Sequence, residues 1–235
     1  MHRHHNFTPA SNSFSMDSGS KLITAIYSLR QKHTGKALRK ADLNPDPVKQ
    51  FEQWLDEAIA ADLVQPHAMI LATATKEGVP SARTVLLRNF DARGLVFYTN
   101  YQSQKGQEIV ENPNAATVFY WGKLGRQVRV AGQIGRISEA ESDAYFESRP
   151  TLSQLGAWAS RQSQPISSRA VLEDNFRQYK TRFEDEVVPR PSYWGGYRLV
   201  PIMFEFWQSR PNRLHDRFKY SQQVDNRWQI DRLSP

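Results

Sequence analysis

Several stretches of this chain gather cations, hydroxyls and aromatic rings. The densest is Phe206-Trp207-Gln208-Ser209-Arg210-Pro211-Asn212-Arg213-Leu214-His215-Asp216-Arg217-Phe218. Read as a strand, it sends Arg213, His215 and Arg217 to one face, because side chains alternate with a period of two. Three neighbouring cationic groups repel one another, so an anion or an electron-rich ring should compensate them. The competing reading is a solvated edge strand whose charges block aggregation. The surrounding aromatics point instead to a lined pocket. Arginine keeps its proton, so Arg213 can position a substrate and stabilise charge but cannot act as a base. A histidine such as His215 can exchange a proton near neutrality.

Four further stretches have chemistry to offer. Arg83-Thr84-Val85-Leu86-Leu87-Arg88 is an apolar strand with an arginine near each end. It can hold a phosphate at one end and lay its backbone along a ring, or it is a core strand with snorkelling ends. Phe97-Tyr98-Thr99-Asn100 leads through Ser103-Gln104-Lys105 into a helix. Hydroxyls, a lysine and free N–H groups at a helix start suit a phosphate, or simply cap the helix. Tyr145 and Arg149 are four apart on a helix that Pro150 ends, and Ser153 can fold back beside them. A phenol, a guanidinium and a hydroxyl would read a phosphate monoester, although an exposed helix end looks similar. Gln127 opens a strand and could bond a ring edge; by itself it decides nothing.

The elements around these residues are mostly strands. Met69–Thr75, Ser81–Arg88, Leu95–Thr99, Ala115–Trp121 and Gln127–Ser138 carry strand signals, with three more near 195–208, 213–220 and 227–232. Helices are expected over 21–30, over 105–111, and near 139–148 and 168–184. Another, capped by Asp46 with Pro47 in its first turn, buries Phe51, Trp54, Leu55, Ala58, Ile59 and Leu63. Connections are short and hairpin-like, so the sheet is antiparallel and a nearly closed barrel removes its edges. The chain therefore reads as mainly β with peripheral helices: a polar tail over 1–20, then one domain over 21–235. His2, His4 and His5 in that tail could bind a metal weakly, but an unstructured terminus explains them better, and no metal site is expected.

The 235 residues contain no cysteine, which excludes disulfides and thiolate chemistry, so any redox work needs a bound cofactor. A net charge of +7 favours anionic partners, and the arginines are scattered singly rather than in a block. Phosphorylated small molecules fit that pattern better than nucleic acid. No apolar run reaches the roughly 18 residues of a membrane span, and no signal peptide is read at the start, so a cytoplasmic location is expected.

Taken in order, the motifs resemble the pyridoxamine 5′-phosphate oxidase family from about Leu29 to Leu233. They include Arg83–Leu87, Val96–Asn100, Arg126–Val128, Ser148–Pro150, Gly156–Trp158, Trp194–Gly196, Phe206–Gln208, Arg213–Phe218 and Ile230–Leu233. The resemblance implies an FMN-binding antiparallel split β-barrel working as a homodimer, with FMN at the subunit interface. It implies oxidation of pyridoxamine 5′-phosphate and pyridoxine 5′-phosphate to pyridoxal 5′-phosphate, with dioxygen as final acceptor. By resemblance Arg83, Thr84, Val85, Leu86, Leu87, Arg88, Tyr98, Thr99, Gln104, Lys105, Gln127, Gln162, Ser163, Trp207 and Arg217 belong to the cofactor site. Arg30, His33, Arg88, Tyr145, Arg149 and Ser153 belong to the substrate, and Arg213 and His215 lie against its ring. The chain departs from the family's commoner residues at four of the compared positions: Arg88 for lysine, Gln104 for arginine, His33 for tyrosine and Gln65 for an acid. Related split-barrel flavin or deazaflavin reductases and a non-catalytic vitamin B6 phosphate binder are the competing readings.

Overall fold

The computed structural model describes residues 36–235; the expected tail, the helix over 21–30 and the candidates Arg30 and His33 lie outside it. Nine strands and five α-helices follow among the described residues. The strands are β1 (Ala68–Ala74), β2 (Pro80–Leu86), β3 (Asn89–Asp91), β4 (Gly94–Asn100), β5 (Asn114–Trp121), β6 (Arg126–Arg136), β7 (Trp194–Gln208), β8 (Asp216–Gln222) and β9 (Trp228–Leu233). The helices are α1 (Pro47–Ala60), α2 (Gln104–Glu111), α3 (Glu139–Glu147), α4 (Thr151–Ala159) and α5 (Arg169–Arg182). Every strand pairing is antiparallel, in the order β2-β1-β5-β6-β7-β4-β3, with β8 on β7 and β9 on β8. The two ends of that path are joined by the chain itself, since β2 runs through Leu87 and Arg88 into β3, and the Arg88 N–H donates to the Val96 carbonyl of β4 at 2.9 Å. The result is a curled, split barrel, as expected.

Alternation sorts the side chains. Leu71, Phe119, Val128, Val130, Phe204, Phe206, Phe218 and Tyr220 point inward and are fully buried. α1 lies against that inner face: the Phe51 ring is 4.9 Å from Phe119, and the Trp54 ring 5.2 Å from Phe206. Each ring taken fully from water stabilises the fold by about 1.5–3 kcal/mol. Asp46 caps α1 by accepting the Val48 N–H at 2.8 Å, with Pro47 in the first turn. Ile59 departs from the expected stripe, since it is 57% exposed. The outward face carries the cross-strand row Thr84, Ile70, Val118, Arg129, Glu205 and Lys219. Ile70 and Tyr120 on this face are exposed.

β7 holds the barrel together. It pairs with β6 along its length, with β4 through its first half and with β8 through its second. Its register with β6 shifts between Ala131 and Gly132. A side chain at Gly132 would come within 1.9 Å of the Val200 carbonyl oxygen, so the backbones approach there as only glycine allows. A second core forms around the first half of β7, where Phe146, Leu155, Phe183, Val188 and Trp194 pack under α3, α4 and α5.

Three expectations change. β3 adds a strand too short to show a period. α4 is an added helix: Pro150 ends α3 and, having no N–H to lose, opens the next helix. The last hairpin begins at Asp216, not near 213. Pro211–Arg213 is a 3₁₀ turn, with Asn212 and Arg213 at φ of 57° and 61°. Arg213, His215 and Arg217 therefore do not share a strand face. Pro211 cannot donate to a ladder, and two left-handed residues in succession fold the chain away from the extended state.

Candidate active site

A cavity of about 590 Å³ opens where β2 and β4 meet. β2 and its exit contribute Ser81 to Leu86 and Arg88; β4 contributes Tyr98 and Thr99; the start of α2 gives Gln104 and Lys105. Tyr145, Arg149, Gln162, Ser163 and Trp194 complete the lining. The Gln162 side-chain oxygen accepts from the Thr99 hydroxyl at 3.0 Å and from the Asn100 N–H at 3.3 Å, which ties the segment after α4 to the end of β4. Ser163 turns that segment with φ of 70°.

Two cations share one side of the cavity. Lys105 is buried, with Nζ 3.2 Å from the Thr99 hydroxyl and 3.3 Å from the Ser103 hydroxyl. Burial, helped by the charge of Arg83, pulls its pKa down to about 8. Arg83 donates Nη1 to the Thr73 hydroxyl at 2.5 Å and forms an ion pair with Glu108 at 3.2 Å. Burial works to raise the Glu108 pKa, yet hydrogen bonds from Ser81, Thr73, Gln104 and Arg83 hold it at about 2.

Arg149 forms the opposite wall. Its Nη1 is buried and has no hydrogen-bond partner among the described residues. The guanidinium lies 4.5 Å above the Trp194 ring. Burial and the nearby Arg88 charge both lower its pKa, opposed by Tyr145, but an arginine so perturbed remains a cation. Tyr98 and Tyr145 stack at 3.8 Å, and Trp194 lies near-parallel to Tyr98 at 5.5 Å, giving a flat aromatic surface. Gly196 makes room for it, because a side chain there would stand 2.9 Å from the Tyr98 ring. A guanidinium with one buried nitrogen lacking a hydrogen-bond partner among the described residues, over a flat surface, suits an anion joined to a planar ring.

The other expected site residues stand apart. Gln127, Trp207 and Arg217 form one cross-strand row on the outward face of β6, β7 and β8. At about 4.8 Å per strand, Trp207 lies roughly 19 Å across the sheet from Leu86. Arg217 bonds Glu205 at 2.8 Å and the Ser234 carbonyl at 2.9 Å, while Arg129 reaches the other Glu205 oxygen at 2.9 Å. The His215 ring packs on Trp207 at 4.5 Å, and its Nδ1 accepts the Arg210 N–H at 3.1 Å. Arg213 is exposed in the 3₁₀ turn.

Residues 55–183 match the family model described as pyridoxamine 5′-phosphate oxidase, and residues 194–235 match the pyridoxine 5′-phosphate oxidase C-terminal dimerisation region. The chain belongs to the pyridoxamine 5′-phosphate oxidase family. A pyridoxine/pyridoxamine 5′-phosphate oxidase of Rubrobacter xylanophilus is 56% identical over 207 residues, 88% of this chain and 95% of the relative. One of Trichormus variabilis is 51% identical over 210 residues, 89% of this chain and 98% of the relative. Among solved structures, PhzG from Burkholderia lata, in complex with tetrahydrophenazine-1-carboxylic acid, superposes with a TM-score of 0.80 at 32% identity, covering 86% of this chain and 99% of PhzG. A pyridoxamine 5′-phosphate oxidase-related, FMN-binding protein from Nostoc punctiforme superposes at 0.63 with 20% identity, covering 83% and 99%, and supports the fold.

Membership in the oxidase family gives the two groups of residues a common frame. Of the residues the family resemblance assigns to cofactor, Leu87 is a core residue at 5% exposure, and its N–H bonds the His67 carbonyl. Ser153 lies exposed in the first turn of α4, outside the cavity lining. Gln104, standing where arginine is commoner, donates to Glu108 at 2.9 Å. The sequence reading missed Trp194, Ser81 and Glu108. Glu108 left a signal, since Lys105, Glu108 and Ile109 share one helical face and that face is buried.

Proposed function

We propose that this enzyme oxidises pyridoxamine 5′-phosphate and pyridoxine 5′-phosphate to pyridoxal 5′-phosphate with FMN, as a homodimer holding FMN where two copies meet. One observation carries the reading: a single cavity joins Arg83, Lys105, Arg88 and Arg149 to a flat aromatic wall, with one Arg149 nitrogen lacking a hydrogen-bond partner among the described residues. FMN and the substrate are each a phosphate monoester on a planar ring, so the donors fit both. Bound FMN would supply the hydride acceptor and pass electrons on to dioxygen, giving hydrogen peroxide.

The chain's own residues bind and orient. Arg83, Lys105, Thr99, Gln104, Gln162 and Ser163 would hold the FMN phosphate and ribityl chain, with the backbone of Thr84 to Arg88 along the ring. Tyr98 contributes from the aromatic wall. Arg88, Tyr145, Arg149 and Ser153 would hold the substrate phosphate. Gln127, Trp207 and Arg217 lie too far across the sheet to join them within one chain, so a second copy would supply these three. The exposed Ile70 and Tyr120 on the same outward face, and the match to a dimerisation region, support that arrangement. Arg213 and His215 would then face the substrate ring. With Nδ1 accepting the Arg210 N–H, a neutral His215 carries its proton on Nε2.

The test is an anaerobic titration of the FMN-loaded protein. Pyridoxamine 5′-phosphate should bleach the flavin spectrum, and admitted air should restore it with release of peroxide. Bleaching by a phosphate-free aromatic acid, with none by the phosphorylated amine, would overturn the substrate assignment. A monomer that does not bind FMN would overturn the whole reading.

A further inference from the structure

Glu108 is an ionisable residue bonded to the cavity lining that the proposed function leaves unused. It is 5% exposed and sits behind the wall that Arg83, Ser81 and Gln104 present. Its carboxylate accepts from Thr73 at 2.5 Å, Ser81 at 2.6 Å, Gln104 at 2.9 Å and Arg83 at 3.2 Å. These donors satisfy an acceptor-only group, three of them on Oε2 and Gln104 on Oε1. Arg83 is committed in the same way. Nη1 reaches Thr73 and the Leu71 carbonyl, at 2.5 and 3.3 Å, and Nη2 reaches Ser81 and Glu108. Lys105, one turn before Glu108 on α2, brings a second buried cation. Two cations in a buried wall need a counter-charge, because an uncompensated buried ion strongly destabilises a fold.

We propose that Glu108 is the resident counter-ion of the phosphate site: it balances Arg83 and Lys105 while no anion is bound, and a bound phosphate takes over that balance. The inference rests on reading the cavity as a site for FMN phosphate. It has a consequence opposite to that of an ordinary binding residue. The carboxylate stabilises the empty protein and repels the arriving phosphate, so removing its charge should weaken the fold and tighten the ligand.

The experiment compares parent and Glu108→Gln as full-length proteins stripped of flavin, at one protein concentration, by thermal melting and by quenching of flavin fluorescence. Ligand-free E108Q should melt about 10 °C lower. FMN should bind E108Q roughly tenfold tighter, and FMN and inorganic phosphate should each raise its melting temperature by more than in the parent. Riboflavin, which lacks the phosphate, should shift both proteins equally. An unchanged melting temperature in ligand-free E108Q, or FMN binding that is unchanged or weaker, overturns the proposal. If E108Q does not fold, the pair Arg83→Gln/Glu108→Gln removes both charges and should melt within a few degrees of the parent; a pair as unstable as the single variant also overturns it. Should the parent respond to inorganic phosphate and not to FMN, the cofactor reading fails while the counter-ion assignment can still be judged from the phosphate arm.

Discussion

The two halves of β7 carry two kinds of cationic cluster. Beside the first half, Arg149 has a buried nitrogen without a hydrogen-bond partner among the described residues, and burial lowers the Lys105 pKa to about 8. Beside the second half, two carboxylates anchor the arginines around them. Glu205 holds Arg129 and Arg217, and Asp216 takes Arg232 at 2.8 Å and the Leu38 N–H at 3.1 Å. The contrast separates binding from support. The first cluster is arranged for a ligand charge, whereas in the second two carboxylates tie the guanidinia down and fix the direction of its rings. A protein gains pre-organisation by keeping such costs at the ligand side.

Breaking the ion-paired cluster should have the largest effect. Glu205→Gln leaves Arg129 and Arg217 facing each other and should destabilise the fold by about 3 kcal/mol. A denaturation midpoint unchanged from the parent would show that the network contributes nothing. Next comes Arg213→Ala. If Arg213 orients the substrate, misplacing the reacting carbon by about 1 Å slows anaerobic flavin reduction on the order of 100-fold, with reoxidation by air nearly untouched. Reduction at the parent rate under saturating substrate would remove Arg213 from the active site.

The ligand-facing cluster should respond differently. Arg149→Ala should raise the Michaelis constant about 10- to 100-fold and leave FMN affinity intact, since a charge-assisted bond to phosphate contributes about 1.5–3 kcal/mol. Loss of FMN with normal substrate saturation would move Arg149 to the cofactor. The smallest effect is one of pH. Lys105 titrates near 8 in the folded protein, below its usual 10.5. FMN affinity should therefore hold below pH 8 and fall, by up to about tenfold per unit, as pH rises above it. Stability of the flavin-free protein should move the other way. Between pH 8 and about 10.5 the unfolded chain binds more protons, so the charge strain present below pH 8 is relieved as pH rises. Parallel movement of affinity and stability would show that another group controls the site.

Much of this was legible in the sequence. The Asp46-Pro47 cap, the apolar stripe of α1 and the alternating strands announced the barrel, because each signal is local. Tyr145 and Arg149 could be paired because helical spacing is rigid over four residues. The region after Gln208 was misread for an equally physical reason. Alternating cations imitate a strand, and only the backbone of Asn212 and Arg213 reveals a turn. The separation of Gln127, Trp207 and Arg217 from the cavity was hidden too, because sequence order says nothing of which strands lie between them. Glu108 shows a further limit: its partners Thr73, Ser81 and Arg83 come from two other strands, and their convergence depends on how the sheet curls over α2.

The glycine at 132 bears on how such a chain can change over generations. It pins β7 against β6 at one offset, and β7 in turn sets β4 on one side and β8 on the other. Gaining or losing a single codon within 194–208 would turn inside faces outward in several strands at once. Point substitutions can adjust the ligand-facing wall residue by residue. Changes of length, by contrast, are confined to the hairpin ends and to the exposed run over 164–168, where no strand register is at stake.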